Sequence, residues 1–171
     1  MWPLAVTSFS PRRQDWALGT KYCLLVQSPA LLEFIMSEVL SGEQREHLLK
    51  AARATMGRAY APYSRFLVGA AILTELDEVF TGCNVENASY GLTMCAERIA
   101  IFSAVAHSGA ANVRLRAIAV TTPEDVVCSP CGACRQVIWE FGSDAVVLFR
   151  AREGWKETPI RDLLPEGFLL L

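Results

Sequence analysis

The spacing of apolar positions along the chain becomes regular after residue 40, where it predicts a helix. Ser41 and Gln44 stand at the spacing of a capping box, in which each side chain bonds the backbone N–H of the other residue. An apolar stripe follows at helical spacing, from Leu48 to Met56. The helix is expected to end before Pro62, because proline disfavours helical geometry at the residue before it.

Apolar segments further along the chain predict strands that alternate with buried helices. Segments 66–74 and 79–85 predict two paired strands, joined by a loop longer than a tight turn because the connection lacks glycine. Segments 95–107 and 131–141 are apolar nearly all round and predict buried helices. The remaining predicted elements are strands at residues 115–122 and 145–150 and a helical turn that begins at Thr158 and Pro159. This order predicts helices layered on a central mixed sheet, a three-layer α/β/α domain.

Composition limits the number of domains and the classes of partner. The 171 residues fit one domain. A hydrophobic fraction of 52% indicates either an unusually large core or apolar surface buried between copies of the chain, and we favour the second. The net charge of −2 gives no basic surplus for nucleic acid, which favours a free nucleobase or nucleoside as the partner. The best candidate for a membrane span, residues 22–40, is interrupted by polar side chains, so no membrane segment is expected.

The six cysteines include three within seven residues, Cys128, Cys131 and Cys134. Such a cluster is typical of a metal or redox site in a reducing compartment. The apolar run at residues 2–6 is too short for a signal peptide, so a cytoplasmic protein is expected. Cys128 and the more distant Cys83 are expected to be small buried hydrophobic residues.

Cys131 and Cys134 form a Cys-x-x-Cys pair at the start of a predicted buried helix. By itself this pair leaves open a redox site, a structural zinc site and a catalytic zinc site. Cys95 opens the other buried helix, and Glu97 follows it two residues later. Three thiolates would fill three of the four tetrahedral positions of zinc, and an open fourth position is typical of catalytic zinc.

The charged residues near these cysteines have different expected roles. Glu97 can reach water at the open position without binding the metal, so it is a candidate general acid and base. Zinc with three thiolates carries a net negative charge, which Arg98 and the two helix N-termini can offset. Arg135 either assists Arg98 or is a solvated helix residue. His47 and His107 lie far from the cysteines in sequence and are expected at the surface.

Six short blocks of sequence occur in the order of one known protein family. The cysteine motifs are Cys-Ala-Glu-Arg at 95–98 and Ser-Pro-Cys-Gly-Ala-Cys-Arg-Gln at 129–136. The other blocks are Ala-Pro-Tyr-Ser at 61–64, Phe-Leu-Val-Gly-Ala at 66–70, Thr-Gly-Cys-Asn-Val-Glu-Asn-Ala-Ser-Tyr-Gly at 81–91 and Leu-Leu-Pro-Glu-Gly-Phe at 163–168. Together these blocks resemble the cytidine deaminase family in its small, three-cysteine, homotetrameric form.

The resemblance implies a fold, a reaction and an assembly. It implies a central mixed five-stranded sheet in a catalytic domain at residues 36–171, with residues 1–35 as an N-terminal extension. It implies zinc-dependent hydrolytic deamination of cytidine and 2′-deoxycytidine to uridine and 2′-deoxyuridine, with release of ammonia. It implies a role in pyrimidine salvage. It also implies one Zn²⁺ per subunit and a homotetramer with shared active sites.

The resemblance also implies roles for individual residues. Cys95, Cys131 and Cys134 would bind zinc, and Glu97 would move protons. Phe66 would stack on the pyrimidine, and the backbone N–H of Ala96 would bind the base carbonyl. Asn84 and Glu86 would bind the ribose hydroxyls. Tyr90 and Phe168 would contribute to the pocket of a neighbouring subunit.

Two alternative functions stay open at this point. One is deamination of another base, in a nucleoside antibiotic or in a nucleic acid. A polymer is disfavoured because Asn84 and Glu86 would bind the ribose and Phe168 would close the pocket. The other is a structural zinc or dithiol redox module, in which Glu97 has no role. For residues 1–35, three interpretations stay open: an extension from a different start site, a disordered tail and a genuine addition.

Overall fold

The computed structural model describes residues 40–123 and 126–170, and these contain a central sheet with helices packed on it. The predicted extension at residues 1–35 and the domain boundary at residue 36 lie outside the described residues. The helices are α1 (Gly42–Met56), α2 (Ala96–Ser108), α3 (Gly132–Phe141) and α4 (Ile160–Leu163). The strands are β1 (Gly69–Thr74), β2 (Val79–Cys83), β3 (Leu115–Thr121), β4 (Val146–Ala151) and β5 (Gly154–Pro159).

The described strands form one five-stranded sheet in the order β2-β1-β3-β4-β5. β3 and β4 run parallel, and the other neighbouring strands run antiparallel. The sheet is therefore mixed, which confirms the predicted fold class. Its central strands are buried on both faces, as near-continuous apolar sequences require.

Two glycines allow helices to pack closely on opposite faces of this sheet. A Cβ on Gly69 of β1 would overlap the carbonyl oxygen of Ala52 in α1. A Cβ on Gly82 of β2 would lie 2.5 Å from the carbonyl oxygen of Ala96 in α2. Gly82 pairs with Ala70, the neighbour of Gly69, so the two glycines face opposite sides. α1 thus forms one layer and α2 another, and α2 contacts α3 on the same side.

The start of α1 is fixed by the capping box that the sequence predicts. The Ser41 hydroxyl accepts from the Gln44 N–H, and the Gln44 side chain accepts from the Ser41 N–H, both at 3.1 Å. The loop between β1 and β2 has four residues, 75–78, and Asp77 takes the left-handed φ of 58° that glycine usually supplies. Arg116 bonds the Asp77 carboxylate at 2.7 Å and holds this loop.

The residue pattern did not identify β5, which pairs antiparallel with β4 along its whole length. Its middle residues, Trp155 and Lys156, are exposed at the sheet edge, so the segment has no apolar run. Arg53 of α1 lies 5.6 Å above the centre of the Trp155 ring, and Arg45 forms an ion pair with Glu157. These contacts attach β5 to α1. Among residues 40–123 and 126–170, no helix has both the length and the apolar character needed to cross a membrane.

Candidate active site

Three cysteine sulfurs converge where α2 and α3 begin. Cys95 is the N-cap of α2, Cys131 is the N-cap of α3, and Cys134 lies in the first turn of α3. The Cys95 and Cys131 sulfurs are 4.0 Å apart, and all three sulfurs lie within 4.8 Å of one another. Zinc–sulfur bonds of about 2.3 Å place tetrahedral sulfurs about 3.8 Å apart, so this cluster can hold a zinc ion with little movement.

The surroundings of this cluster favour thiolates. Both helix N-termini direct partial positive charge at the sulfurs. A hydrogen bond with the Cys134 thiol and the nearby Arg98 charge lower the pKa of Cys95 to about 5. The same bond with Cys95, together with burial, raises the pKa of Cys134. Metal binding requires all three thiols to lose their protons, and the surroundings that lower the pKa of Cys95 favour this loss at that sulfur.

Glu97 lies in the first turn of α2, two residues after Cys95, and is only 4% exposed. Burial raises the pKa of Glu97, and the Cys95 charge adds to this effect. A buried carboxyl beside a metal cluster can hold a proton at a pH where an exposed carboxyl cannot. This property suits a group that takes up and releases protons during a reaction.

Arg98 follows directly and turns its guanidinium toward the cysteines. Its Nη2 lies 3.5 Å from the Cys95 sulfur and 3.4 Å from the Thr93 carbonyl oxygen. The hydrogen bond to Cys95 raises the pKa of Arg98, so the guanidinium stays charged. The cation therefore lies where it can offset the negative charge of the sulfurs.

A cleft of about 410 Å³ is lined by Tyr63, Ser64, Glu86, Tyr90 and Thr93, and the Thr93 carbonyl oxygen also accepts from Arg98. The Glu86 carboxylate accepts hydrogen bonds from the Tyr63 N–H at 2.8 Å and from the N–H and the hydroxyl of Ser64. The bond from the Ser64 hydroxyl lowers the pKa of Glu86. An ionised carboxylate in such a cleft is an acceptor for hydroxyl groups.

Asn84 is buried at the end of β2 and bridges the chain before β1. Its side-chain oxygen accepts from the Val68 N–H and its side-chain nitrogen donates to the Phe66 carbonyl, both at 2.8 Å. The amide nitrogen has a second N–H beyond the one used here. Phe66, which is half-buried, packs against the core cluster. Asn84 thus holds the segment that carries the Phe66 ring.

The other predicted substrate residues lie in different surroundings. Ala96 is the first residue of α2, so its N–H has no partner within the helix. Tyr90 is 77% exposed, and its ring meets that of Tyr63 edge to face at 6.2 Å between centroids. Phe168 is 62% exposed and its carbonyl accepts from Gln136. The structure of one chain thus leaves Tyr90 and Phe168 largely outside its own core.

Sequence reasoning missed the contacts of Ser64 and misjudged Arg135. Arg135 neither joins Arg98 nor extends into solvent: it donates to the carbonyl oxygens of Pro130 and Leu163 and to the Ser129 hydroxyl. It ties the loop before α3 to the C-terminal segment. The sequence pattern did not reveal this role, because the contact that reaches the C-terminal segment is made to a backbone oxygen 28 residues away.

Residues 42–150 match the family model for the cytidine and deoxycytidylate deaminase zinc-binding region. A cytidine deaminase from Sporosarcina psychrophila is 44% identical over 126 residues, which cover 72% of this chain and 90% of that protein. A cytidine deaminase from Mycobacterium tuberculosis is 45% identical over 123 residues, covering 69% and 84%. The crystal structure of cytidine deaminase from Burkholderia pseudomallei has a TM-score of 0.65 and 46% identity, covering 72% of this chain and 98% of that chain.

The mixed sheet, the three-sulfur cluster and these similarities define a zinc-binding hydrolase built on a mixed sheet with packed helices. The chain belongs to the cytidine and deoxycytidylate deaminase family. This result confirms the resemblance found in the sequence and the predicted zinc cofactor, one ion per subunit. It also argues against the two alternatives in which the Cys-x-x-Cys pair belongs to a dithiol redox module or to a structural zinc module.

Proposed function

We propose that this chain hydrolyses the 4-amino group of cytidine and 2′-deoxycytidine, giving uridine or 2′-deoxyuridine and ammonia. The observation that carries the proposal is the buried carboxyl of Glu97, two residues from a sulfur of the three-cysteine cluster. Burying a carboxyl costs free energy, and a structural zinc site gains nothing from one. A role in proton transfer explains why a carboxyl lies there.

Cys95, Cys131 and Cys134 hold the zinc ion through Sγ, and zinc supplies the activation of water for hydrolysis. The Glu97 carboxylate takes a proton from the water and gives it to the pyrimidine ring. The water oxygen bonds to C4, its second proton passes through the same carboxyl to the 4-amino group, and the C4–N bond breaks to release ammonia. Because burial raises the pKa of Glu97, both of its protonation states are accessible during this cycle. Arg98 limits the negative charge at the sulfurs.

The cleft supports a nucleoside as substrate. Phe66 stacks on the pyrimidine, the Ala96 N–H meets the base carbonyl, and Asn84 and Glu86 receive the ribose hydroxyls. The five residues that line the cleft supply hydroxyl and carboxylate groups, with no lysine or arginine among them. A phosphodiester in place of the ribose hydroxyl would lie beside the Glu86 carboxylate without a cation from this lining, which disfavours nucleic acids.

We also infer that the chain acts as a homotetramer in which Tyr90 and Phe168 complete the site of a neighbouring subunit. The exposure of both side chains supports this arrangement, as does Phe102, which is 43% exposed on α2. Sedimentation equilibrium should give about four times the 18.8 kDa of one chain, and a mass of 18.8 kDa would refute the assembly.

Free thiols at the metal site fit the cytoplasm, and the reaction fits pyrimidine salvage.

Absorbance near the cytidine maximum tests the proposed function. Zinc-loaded protein should remove this absorbance with cytidine and 2′-deoxycytidine, and it should leave single-stranded DNA that contains cytosine unchanged. Protein stripped of zinc with a chelator is the matched control and should be inactive with every substrate. Loss of absorbance with DNA but not with the nucleosides would contradict the proposal, and so would inactivity of the zinc-loaded protein toward both nucleosides.

A further inference from the structure

The segment that precedes β1 turns sharply beside the cleft. Arg65 takes a left-handed φ of 58°, which is uncommon for a residue other than glycine, and its N–H donates to the Ala61 carbonyl at 3.0 Å. This turn directs the N–H groups of Tyr63 and Ser64 toward one point. The Glu86 carboxylate occupies that point.

One hydroxyl connects Glu86 to the segment that precedes β1. The Ser64 hydroxyl donates to Oε1 of Glu86 and accepts from the Phe66 N–H at 3.0 Å. The Ser64 N–H adds bonds of 3.2 and 3.3 Å to the two oxygens of the same carboxylate. Ser64 therefore fixes Glu86 relative to the residue that carries the Phe66 ring.

The backbone around Glu86 is held by hydrogen bonds as well. The Tyr60 N–H donates to the Asn84 carbonyl at 3.0 Å, and the Glu86 N–H donates to the Tyr60 carbonyl at 2.8 Å. Glu86 is thus restrained at its backbone by Tyr60 and at its carboxylate by Tyr63 and Ser64. A side chain held in this way loses little conformational entropy when a ligand binds.

The donors already present limit what the carboxylate can accept. An ionised carboxylate has about four acceptor sites, and the Tyr63 N–H, the Ser64 N–H and the Ser64 hydroxyl use about three of them. About one site is left for a ligand hydroxyl. A carboxylate with one open site in a fixed direction can distinguish a sugar that has a hydroxyl at that point from one that lacks it.

We propose that Ser64 is a positioning residue that sets selectivity for the ribose hydroxyl bound by Glu86, by fixing the Glu86 carboxylate against the segment that carries Phe66. This inference rests on the proposed function. Ser64 acts through Glu86 and has no part in proton transfer. Its effect therefore depends on whether the substrate has a ribose hydroxyl for Glu86 to bind.

The test compares kcat/KM for cytidine and for 2′,3′-dideoxycytidine, which lacks the sugar hydroxyls at both positions. With Ser64→Ala, kcat/KM for cytidine should fall about tenfold, the range expected for a lost hydrogen bond to a charged group, while the value for the dideoxynucleoside changes less than about twofold. Ser64→Thr keeps the hydroxyl at an exposed position and should restore cytidine turnover to within about threefold of wild type.

Ser143→Ala is the matched control, since it removes a hydroxyl beyond the C-terminal end of α3, at the opposite end of that helix from Cys131. It should leave both substrates unchanged. An equal fall for both substrates with Ser64→Ala would overturn the proposal, because it would indicate a merely structural role. An unchanged value for cytidine would also overturn it. Wild-type protein that fails to deaminate cytidine refutes the proposed function itself, whereas normal wild-type turnover with either outcome above refutes the Ser64 inference alone.

Discussion

Arg98 brings a guanidinium to 3.5 Å from the Cys95 sulfur in a half-buried position. Three thiolates and one zinc ion leave a net negative charge, which stabilises water in its neutral form and so works against hydrolysis. A cation that donates to a ligand sulfur withdraws part of that charge. Residues that contact metal ligands in this way commonly affect both metal affinity and turnover.

Arg98→Ala should therefore weaken zinc retention and lower kcat, each by about 10- to 100-fold. Zinc retention is measured by competition with a chromogenic chelator, and kcat is measured on the zinc-saturated variant. Arg58→Ala, which removes an exposed arginine after α1, is the matched control and should change neither quantity. A fully metallated Arg98→Ala variant with wild-type kinetics would show that the guanidinium does not balance the charge of the sulfurs.

How much of the site the sequence could predict depends on whether its contacts are local. The positions of Cys95, Cys131 and Cys134 at the starts of two helices are a local property of the sequence, and they favoured a zinc cluster while a redox module stayed open. The ties made by Ser64 and Asn84 join positions 16 to 22 residues apart through a left-handed turn at Arg65. No periodicity encodes such a turn, so these ties required the structure.

At the level of elements, the packing of α2 on β2 positions the cluster. A Cβ on Gly82 would lie 2.5 Å from both the Ala96 carbonyl oxygen and the Ala100 nitrogen, which are backbone atoms of α2. α2 could accommodate a side chain only by moving away from the sheet. Its first turn carries Glu97, so such a movement would displace the site as well as weaken the core.

Gly82→Ala should consequently lower the free energy of unfolding by about 1–3 kcal/mol and reduce turnover, because overpacking against backbone cannot be relieved by a rotamer change. Urea unfolding followed by fluorescence measures the first effect. Gly42→Ala is the matched control at the start of α1, where an added Cβ meets no atom within 4 Å, and it should be neutral or slightly stabilising. Equal stability of the Gly82 variant and wild type would contradict the proposed packing constraint.

Whether a helix or strand could be predicted from the sequence also depends on whether its contacts are local. α1 was predicted with its capping box because Ser41 and Gln44 interact within one helical turn. β5 was not recognised from the residue pattern, because its exposed Trp155 and Lys156 lack the alternation of a half-buried strand. The strand exists through pairing with β4 and through contacts with α1, and both depend on tertiary structure.

At the scale of the whole molecule, the described part of the chain leaves several large apolar side chains exposed, one of them at the cleft. The helix at residues 95–107 was expected to be apolar nearly all round and buried, yet Phe102 of α2 is 43% exposed. Tyr90, at the cleft, and Phe168, in the C-terminal segment, are exposed as well. The high hydrophobic fraction of the sequence is therefore consistent with the proposed homotetramer, in which neighbouring subunits would cover these side chains.

The account depends most on a metal held by three sulfurs with Glu97 moving protons beside it. The most direct measurement is kcat for cytidine of the Glu97→Gln variant, with the zinc content determined on the same sample. The amide keeps the shape of the side chain but cannot exchange the protons. We therefore expect one zinc per chain and a loss of about 10²- to 10⁴-fold in kcat. Glu140→Gln, at an exposed position of α3, should retain wild-type values for both. A fully zinc-loaded Glu97→Gln protein with wild-type turnover would contradict the account.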